Sequence, residues 1–249
     1  MLENKKVIIF DLDGTLIDSV GIWNEIDRRL IAEVGTKSVG DEDIGKQRDE
    51  KLKEYSKQGD AYLLYCGFLK EKYGATASKE EIKKLRYEIA DNYLRNVIDY
   101  KPQAEEVLKY LKRKGFTLVI ASTTNDHTIE TYRNHNQNII RKANFDDIFT
   151  LVYSKGAVKE LKPNPEVHYK ILSELGAKPE ECLIVEDALI GVEAANNAGI
   201  DVAVMYDKYS DGNREEINRL AQYTFKDFKE MLSKIKAELE KDKDKDEVR

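Results

Sequence analysis

Four apolar residues in a row, Val7-Ile8-Ile9-Phe10, give way at once to Asp11-Leu12-Asp13-Gly14-Thr15. An unbroken run of that length, rich in β-branched side chains, predicts a short strand buried on both faces, as in a parallel sheet covered by helices on either side. Past Thr15 the period changes. Ile22, Trp23, Ile26, Leu30, Ile31 and Val34 recur at helical spacing up to Gly35, the sign of an amphipathic helix with a glycine stop. A polar stretch rich in Lys and Glu follows, its apolar residues gathered at 61–65 and at Phe68-Leu69. Ser78 and Glu81 then form a capping box ahead of a stripe of Ile82, Leu85, Ile89, Tyr93, Leu94 and Val97. The pattern from 17 to 97 is therefore expected to be wholly helical.

From Pro102 helix-period and strand-period segments alternate. A helix through Val107, Leu108 and Leu111 precedes the strand Leu118-Val119-Ile120-Ala121. A helical segment with Ile129, Tyr132, Ile139 and Ile140 precedes Thr150-Leu151-Val152-Tyr153. Pro165 opens a helix through Val167, Ile171, Leu172 and Leu175, ahead of Cys182-Leu183-Ile184-Val185. A small-residue helix with Ala194, Ala195 and Ala198 leads to Val202-Ala203-Val204-Met205. This alternation predicts an α/β fold, a doubly wound (Rossmann-like) parallel sheet with an inserted α-helical cap. The expected division is a core of 1–16 with 98–240, a cap of 17–97, and a tail of 241–249 whose charge run has no apolar periodicity and is expected to be disordered. An insert placed after the first strand is expected to lie over the strand ends and so to face Asp11 and Asp13.

Composition narrows the partners. The chain has 249 residues, 41% hydrophobic and 35% charged, enough for a sizeable core. A formal net charge of −6 argues against general binding to nucleic acid or to an anionic membrane. The two cysteines, Cys66 and Cys182, have no metal-binding or disulfide-framework spacing, and the apolar run after Lys5-Lys6 is too short for a signal core or a membrane span. A cytoplasmic protein is expected.

Three predicted strands end in acids or a hydroxyl: Asp11 and Asp13, then Ser122, then Glu186 and Asp187. Lys162 adds a cation in the loop Lys162-Pro163-Asn164-Pro165. Singly each has an ordinary explanation, as a turn or cap residue, a solvated lysine, or an acid favourable to a helix dipole. Together, at one sheet edge, they are the groups that phosphoryl transfer needs. A carboxylate can attack phosphorus, a second can move the proton, a hydroxyl and an ammonium can hold phosphoryl oxygens, and clustered acids can hold Mg²⁺.

With these motifs in place the chain resembles the haloacid dehalogenase superfamily, in the branch with a helical cap after the first strand. D-x-D-G-T stands at Asp11 to Thr15, the strand-ending hydroxyl at Ser122, K-P-x-P at Lys162 to Pro165, and an acidic pair before G-x-x-A-A-x-x-A-G at Glu186-Asp187. The resemblance implies Asp11 as nucleophile and Asp13 as acid/base. It implies Ser122, Thr123 and Lys162 as phosphate binders. Mg²⁺ would be held by Asp11, the main-chain carbonyl of Asp13, Asp187 and, directly or through water, Glu186. Thr123 stands where relatives often carry Asn, and His168 where an aromatic residue is common.

The expected activity is Mg²⁺-dependent hydrolysis of a small phosphorylated metabolite through an aspartyl phosphate. A mutase resembling β-phosphoglucomutase is the alternative; Thr15, where such mutases often carry Val, leans towards the phosphatase. Asp13 and Asp187 disfavour a dehalogenase. A phospho-accepting signalling domain would be shorter and would carry its acceptor on a middle strand. Substrate choice is expected to lie in the insert, where Lys46, Gln47 and Arg48 are anion-binding candidates. Oligomeric state is not legible.

Overall fold

The computed structural model describes residues 1–40, 43–55 and 58–246. The first strand, β1 (Val7–Phe10), is fully buried. The loop after it turns back at once: Gly14, with φ of 87°, donates its N–H to the Ile17 carbonyl at 3.0 Å, and Ile17 bridges to Asp13 and Tyr100. Ile17 is thus part of a tight fold-back and not the start of a helix.

Ser19 to Ile98 form one compact unit. It contains α1 (Ile22–Val34), α2 (Ile44–Tyr55), α3 (Ala61–Tyr73), α4 (Lys79–Asn92) and a π-helical turn at Tyr93–Val97. The capping box is present, with Ser78 and Glu81 each accepting from the other's N–H, and Asp60 caps α3 through the Leu63 N–H. Ile26, Leu30, Tyr65, Leu69, Ile82 and Ile89 fill the core. Asp27 lies in it, fully buried, and its charge is met by Arg86 at 2.7 Å, Arg48 at 3.2 Å and the Tyr65 hydroxyl at 3.3 Å. A buried carboxylate demands such partners, so Arg48 answers Asp27 and is not an anion-binding side chain in wait.

The second unit is Met1–Asp18 with Asp99–Arg249. After α5 (Ala104–Arg113) and β2 (Thr117–Ala121), three helices replace the single helical segment expected: α6 (Asp126–Asn134), α7 (Gln137–Ala143) and α8 (Phe145–Ile148). The interruptions have a local cause. The side chains of Asn136 and Asn144 accept from the N–H of Ile139 and Asp146, both at 2.9 Å, and each restarts the helix as a cap. Then come β3 (Leu151–Tyr153), α9 (Glu166–Leu175), β4 (Cys182–Glu186), α10 (Leu189–Asn197) and β5 (Asp201–Met205). The sequence pattern assigns no element beyond Met205, where the structure adds α11 (Arg214–Leu220), β6 (Tyr223–Phe225) and α12 (Phe228–Asp246). Of the tail expected to be disordered, 247–249 lie outside the described residues.

The six strands are all parallel, in the order β3-β2-β1-β4-β5-β6. Alternation divides their side chains between two layers. Val7, Ile9, Val119, Ile184, Val202 and Val204 pack with Val167 and Ile171 of α9 and Val192 and Ala195 of α10. Ile8, Phe10, Leu118, Ile120 and Val185 point the other way, where the Phe10 ring meets Phe149 edge-on at 6.5 Å. Each buried Val, Ile or Phe contributes roughly 1.5–3 kcal/mol. Both layers are therefore closed, as the unbroken apolar runs predict.

Candidate active site

In this strand order β1 and β4 flank the point where the winding reverses, and in open α/β sheets ligands bind there, beyond the carboxyl ends of the strands. The sheet register delivers the predicted residues to that point. Phe10 pairs with Ile120 and Val185. The Asp11 N–H then bonds the Val185 carbonyl at 2.9 Å and the Ser122 N–H the Tyr153 carbonyl at 2.9 Å, so Asp11, Ser122 and Glu186 leave adjacent strands side by side.

Lys162 enters from the loop before α9, next to a cis Lys162–Pro163 bond. Its buried ammonium donates to Asp11 Oδ1 at 2.8 Å, to the Ala121 carbonyl at 2.9 Å and to Glu186 Oε1. Asp11 accepts this bond through Oδ1. Glu186 Oε2 accepts from the Asp187 N–H at 3.1 Å. Asp187 is held by the hydroxyls of Thr15, at 2.6 Å, and Ser210, at 3.4 Å.

Asp11, Glu186 and Asp187, all buried, each offer a carboxylate oxygen, and these oxygens lie within 4.8 Å of one another. Burial first, and then Asp11, push Glu186 up to about 7 although Lys162 pulls it down. Asp187 is raised well above the usual carboxylate range by burial, Glu186 and Asp11. Burial works against the Lys162 ammonium, yet Asp11 and Glu186 outweigh it and raise its pKa. Three buried carboxylates against one ammonium leave negative charge unbalanced, which protons or a cation relieve. An all-oxygen donor set suits a hard divalent ion, and these three residues can hold one.

Asp13 stands apart from this cluster. Its Oδ1 accepts from the Tyr132 hydroxyl at 3.2 Å and its Oδ2 from the Thr124 hydroxyl. The Ser122 hydroxyl oxygen accepts from the Thr124 N–H at 3.1 Å. Thr123, half-buried beside it, enters none of these bonds. The structure brings the predicted Asp11, Lys162, Glu186 and Asp187 together, and it sets Thr124 against the predicted Ser122 and Asp13, Tyr132 against Asp13 and Ser210 against Asp187, three partners that the sequence pattern does not single out. A second hydroxyl two residues past Ser122 is a faint signal for Thr124; Tyr132 reads only as helix packing. His168 is a packing residue, buried on α9, its two ring nitrogens without a partner among the described residues and its pKa pushed down to about 3 by burial and Lys162.

Gly191, in the first turn of α10, is required by Glu186. A Cβ there would lie 1.8 Å from Glu186 Oε1 and 2.0 Å from its Cδ. Moving that carboxylate breaks its bonds to Lys162 and the Asp187 N–H. Gly191→Ala is expected to weaken divalent-cation binding by about 10- to 100-fold, the usual effect of disturbing groups that orient ligands; calorimetric titration with Mg²⁺ measures it, and unchanged affinity would show that Glu186 plays no part in holding the ion.

Residues 8–205 match the haloacid dehalogenase-like hydrolase family. A phosphorylated-carbohydrate phosphatase of Thermotoga maritima is 27% identical over 79% of this chain and 82% of its own length. A phosphoglycolate phosphatase of Aquifex aeolicus is 31% identical over 80% of this chain and 84% of its own. Among solved structures, a Thermotoga maritima protein described as a β-phosphoglucomutase superposes with a TM-score of 0.69 at 23% identity, covering 89% of this chain and 94% of that one. The matched stretch runs from within β1 to the end of β5 and takes in every residue of the site except the loop at Ser210, so the chain belongs to the haloacid dehalogenase-like hydrolase family.

Proposed function

We propose that the chain is a Mg²⁺-dependent phosphatase acting on a small phosphomonoester, with Asp11 as nucleophile and Asp13 as acid and base. The observation that carries this reading is the separate handling of the two acids. Asp11 shares the cation-ready cluster with one oxygen on Lys162, while Asp13 is held outside it by two hydroxyls. A nucleophile gains from a fixed ammonium beside it, which also draws in the phosphoryl group. An acid that must gain and lose a proton gains from standing clear of a bound cation.

Asp11, Glu186, Asp187 and the main-chain carbonyl of Asp13 would hold Mg²⁺. When bound, the ion supplies charge neutralisation for the phosphoryl oxygens. The Ser122 hydroxyl, whose oxygen already accepts from Thr124, keeps its proton to donate to a phosphoryl oxygen, with Thr123 assigned beside it. Lys162 opposes the charge that develops as Asp11 bonds to phosphorus. The helical unit is assigned the choice of substrate because the chain inserts it directly after the turn that carries Asp11 and Asp13. No helix among the described residues is long and apolar enough to cross a membrane, and two free buried thiols, Cys66 and Cys182, suit a reducing compartment; we place the enzyme in the cytoplasm.

The test is a phosphate-release screen over sugar phosphates, phosphoglycolate and nucleotides, with glucose 1-phosphate isomerisation run beside it. Many turnovers per chain are expected, lost in chelator and restored by Mg²⁺. Full activity in chelator would remove the cation from the reaction. Isomerisation without net release would favour the mutase, and one stable label per chain a signalling domain.

A further inference from the structure

Tyr132 is buried to 1% exposure on α6, and a hydroxyl so deep must find an acceptor. A main-chain carbonyl commonly serves, as it does for Tyr100, also buried, which donates to the Ala143 carbonyl at 2.7 Å. Tyr132 donates instead to a carboxylate of the candidate site, and Thr124 takes the other oxygen of the same group. We propose that Tyr132 and Thr124 are positioning residues that fix the Asp13 carboxylate for proton transfer, an inference that rests on the phosphatase reading above.

The physical need is one of geometry. An aspartate side chain turns about two bonds, and proton transfer requires its oxygen within about 2.6–3.2 Å of the partner atom. One donor on each oxygen removes both rotations. In the first step an Asp11 oxygen bonds to phosphorus, the ester P–O bond breaks, and the departing oxygen takes the proton of Asp13. In the second, Asp13 takes a proton from water as the water oxygen bonds to phosphorus and the Asp11–phosphorus bond breaks, which returns Asp11 as a carboxylate. Both steps require the same carboxyl group in the same place.

Phenyl phosphate and p-nitrophenyl phosphate separate this role from a merely structural one. They are similar in shape, but phenolate is the more basic leaving group and gains more from a donated proton. The quantity kcat/KM stops at the first irreversible step, so it includes proton donation by Asp13 and excludes the later step in which Asp13 acts as base. In Tyr132→Phe, kcat/KM for phenyl phosphate is expected to fall about tenfold, part of the 10²–10⁴ that general acid catalysis supplies, while that for p-nitrophenyl phosphate stays within about twofold. Thr124→Val is expected to show the same split, and Thr124→Ser, which keeps the hydroxyl, to abolish it. An equal loss on both esters, or no loss on either, would overturn the positioning role. Wild-type protein that releases phosphate from neither ester nor from any substrate of the phosphate-release screen would instead overturn the phosphatase reading, and this inference with it.

Discussion

Asp11→Asn is expected to end turnover while leaving the protein at least as stable as the wild type near neutral pH. Asn has the shape of Asp but no oxygen that can displace at phosphorus, and loss of a nucleophile in such a unit removes on the order of 10³- to 10⁶-fold in kcat. Stability should not follow activity down. Asp11 is one of the charges that raise Glu186 and Asp187, and removing it lowers their pKa values towards ordinary ones. A carboxyl whose folded pKa lies above its unfolded one loses stabilising influence as the pH rises through the folded value, so a smaller elevation means a smaller loss. Lys162 keeps Glu186 and the Ala121 carbonyl as acceptors. Phosphate release and urea unfolding at pH 7.5 check the two halves. Turnover retained in Asp11→Asn would remove Asp11 from the role of nucleophile.

The sheet was legible because both its faces are buried. A strand covered on each side needs no alternation, so Val7-Ile8-Ile9-Phe10 and Cys182-Leu183-Ile184-Val185 stand out as runs that no amphipathic helix would carry. The division of the region after Ser122 into three helices was hidden, since hydrophobic period continues across Asn136 and Asn144 and only their side-chain caps interrupt it. Beyond Met205 the pattern fails for another reason. There the buried Phe228, Met231, Leu232 and Ile235 of α12 are spaced as in a helix, but Lys, Glu and Asp dominate the stretch around them.

At the site, residues fixed by main-chain geometry were readable and those brought in by side-chain reach were not. Asp11, Ser122 and Glu186 follow from strand ends and register. Tyr132 reaches Asp13 from α6, and nothing in its helical neighbourhood distinguishes it from the packing residue Ile129. Arg48 shows the converse error. A basic residue in a polar stretch suggests anion binding until the folded helical unit reveals the buried Asp27 that it serves. Charge partners across a core are set by tertiary contact, which local spacing does not encode.

Lys162→Met is expected to cost about 3–5 kcal/mol at pH 8, because it leaves buried carboxylates without their cation, and much less at pH 5. Glu186 titrates near 7 in the folded protein against an ordinary value of 4.5. Its contribution to stability is therefore fully present below about 4.5 and lost as the pH rises through 7. Lys162 holds the Glu186 pKa down, so without its ammonium that value moves higher still and the gap between variant and wild type widens from pH 5 to pH 8. His168 opposes this trend in both proteins. Its pKa, held down to about 3 chiefly by burial, makes stability fall as the pH drops below its ordinary 6.5, and comparison at each pH largely cancels that contribution. Urea unfolding of both proteins at pH 5 and pH 8 measures the gap. If charge is the cause, saturating Mg²⁺ should recover part of the loss at pH 8, since a bound cation stabilises the folded state by mass action, yet turnover should stay down by about 10²- to 10³-fold because the charge facing the phosphoryl group is gone. An equal loss at both pH values, unmoved by Mg²⁺, would mean that Lys162 supports the fold through its packed stem and not through the charge it sets among Asp11, Glu186 and Asp187.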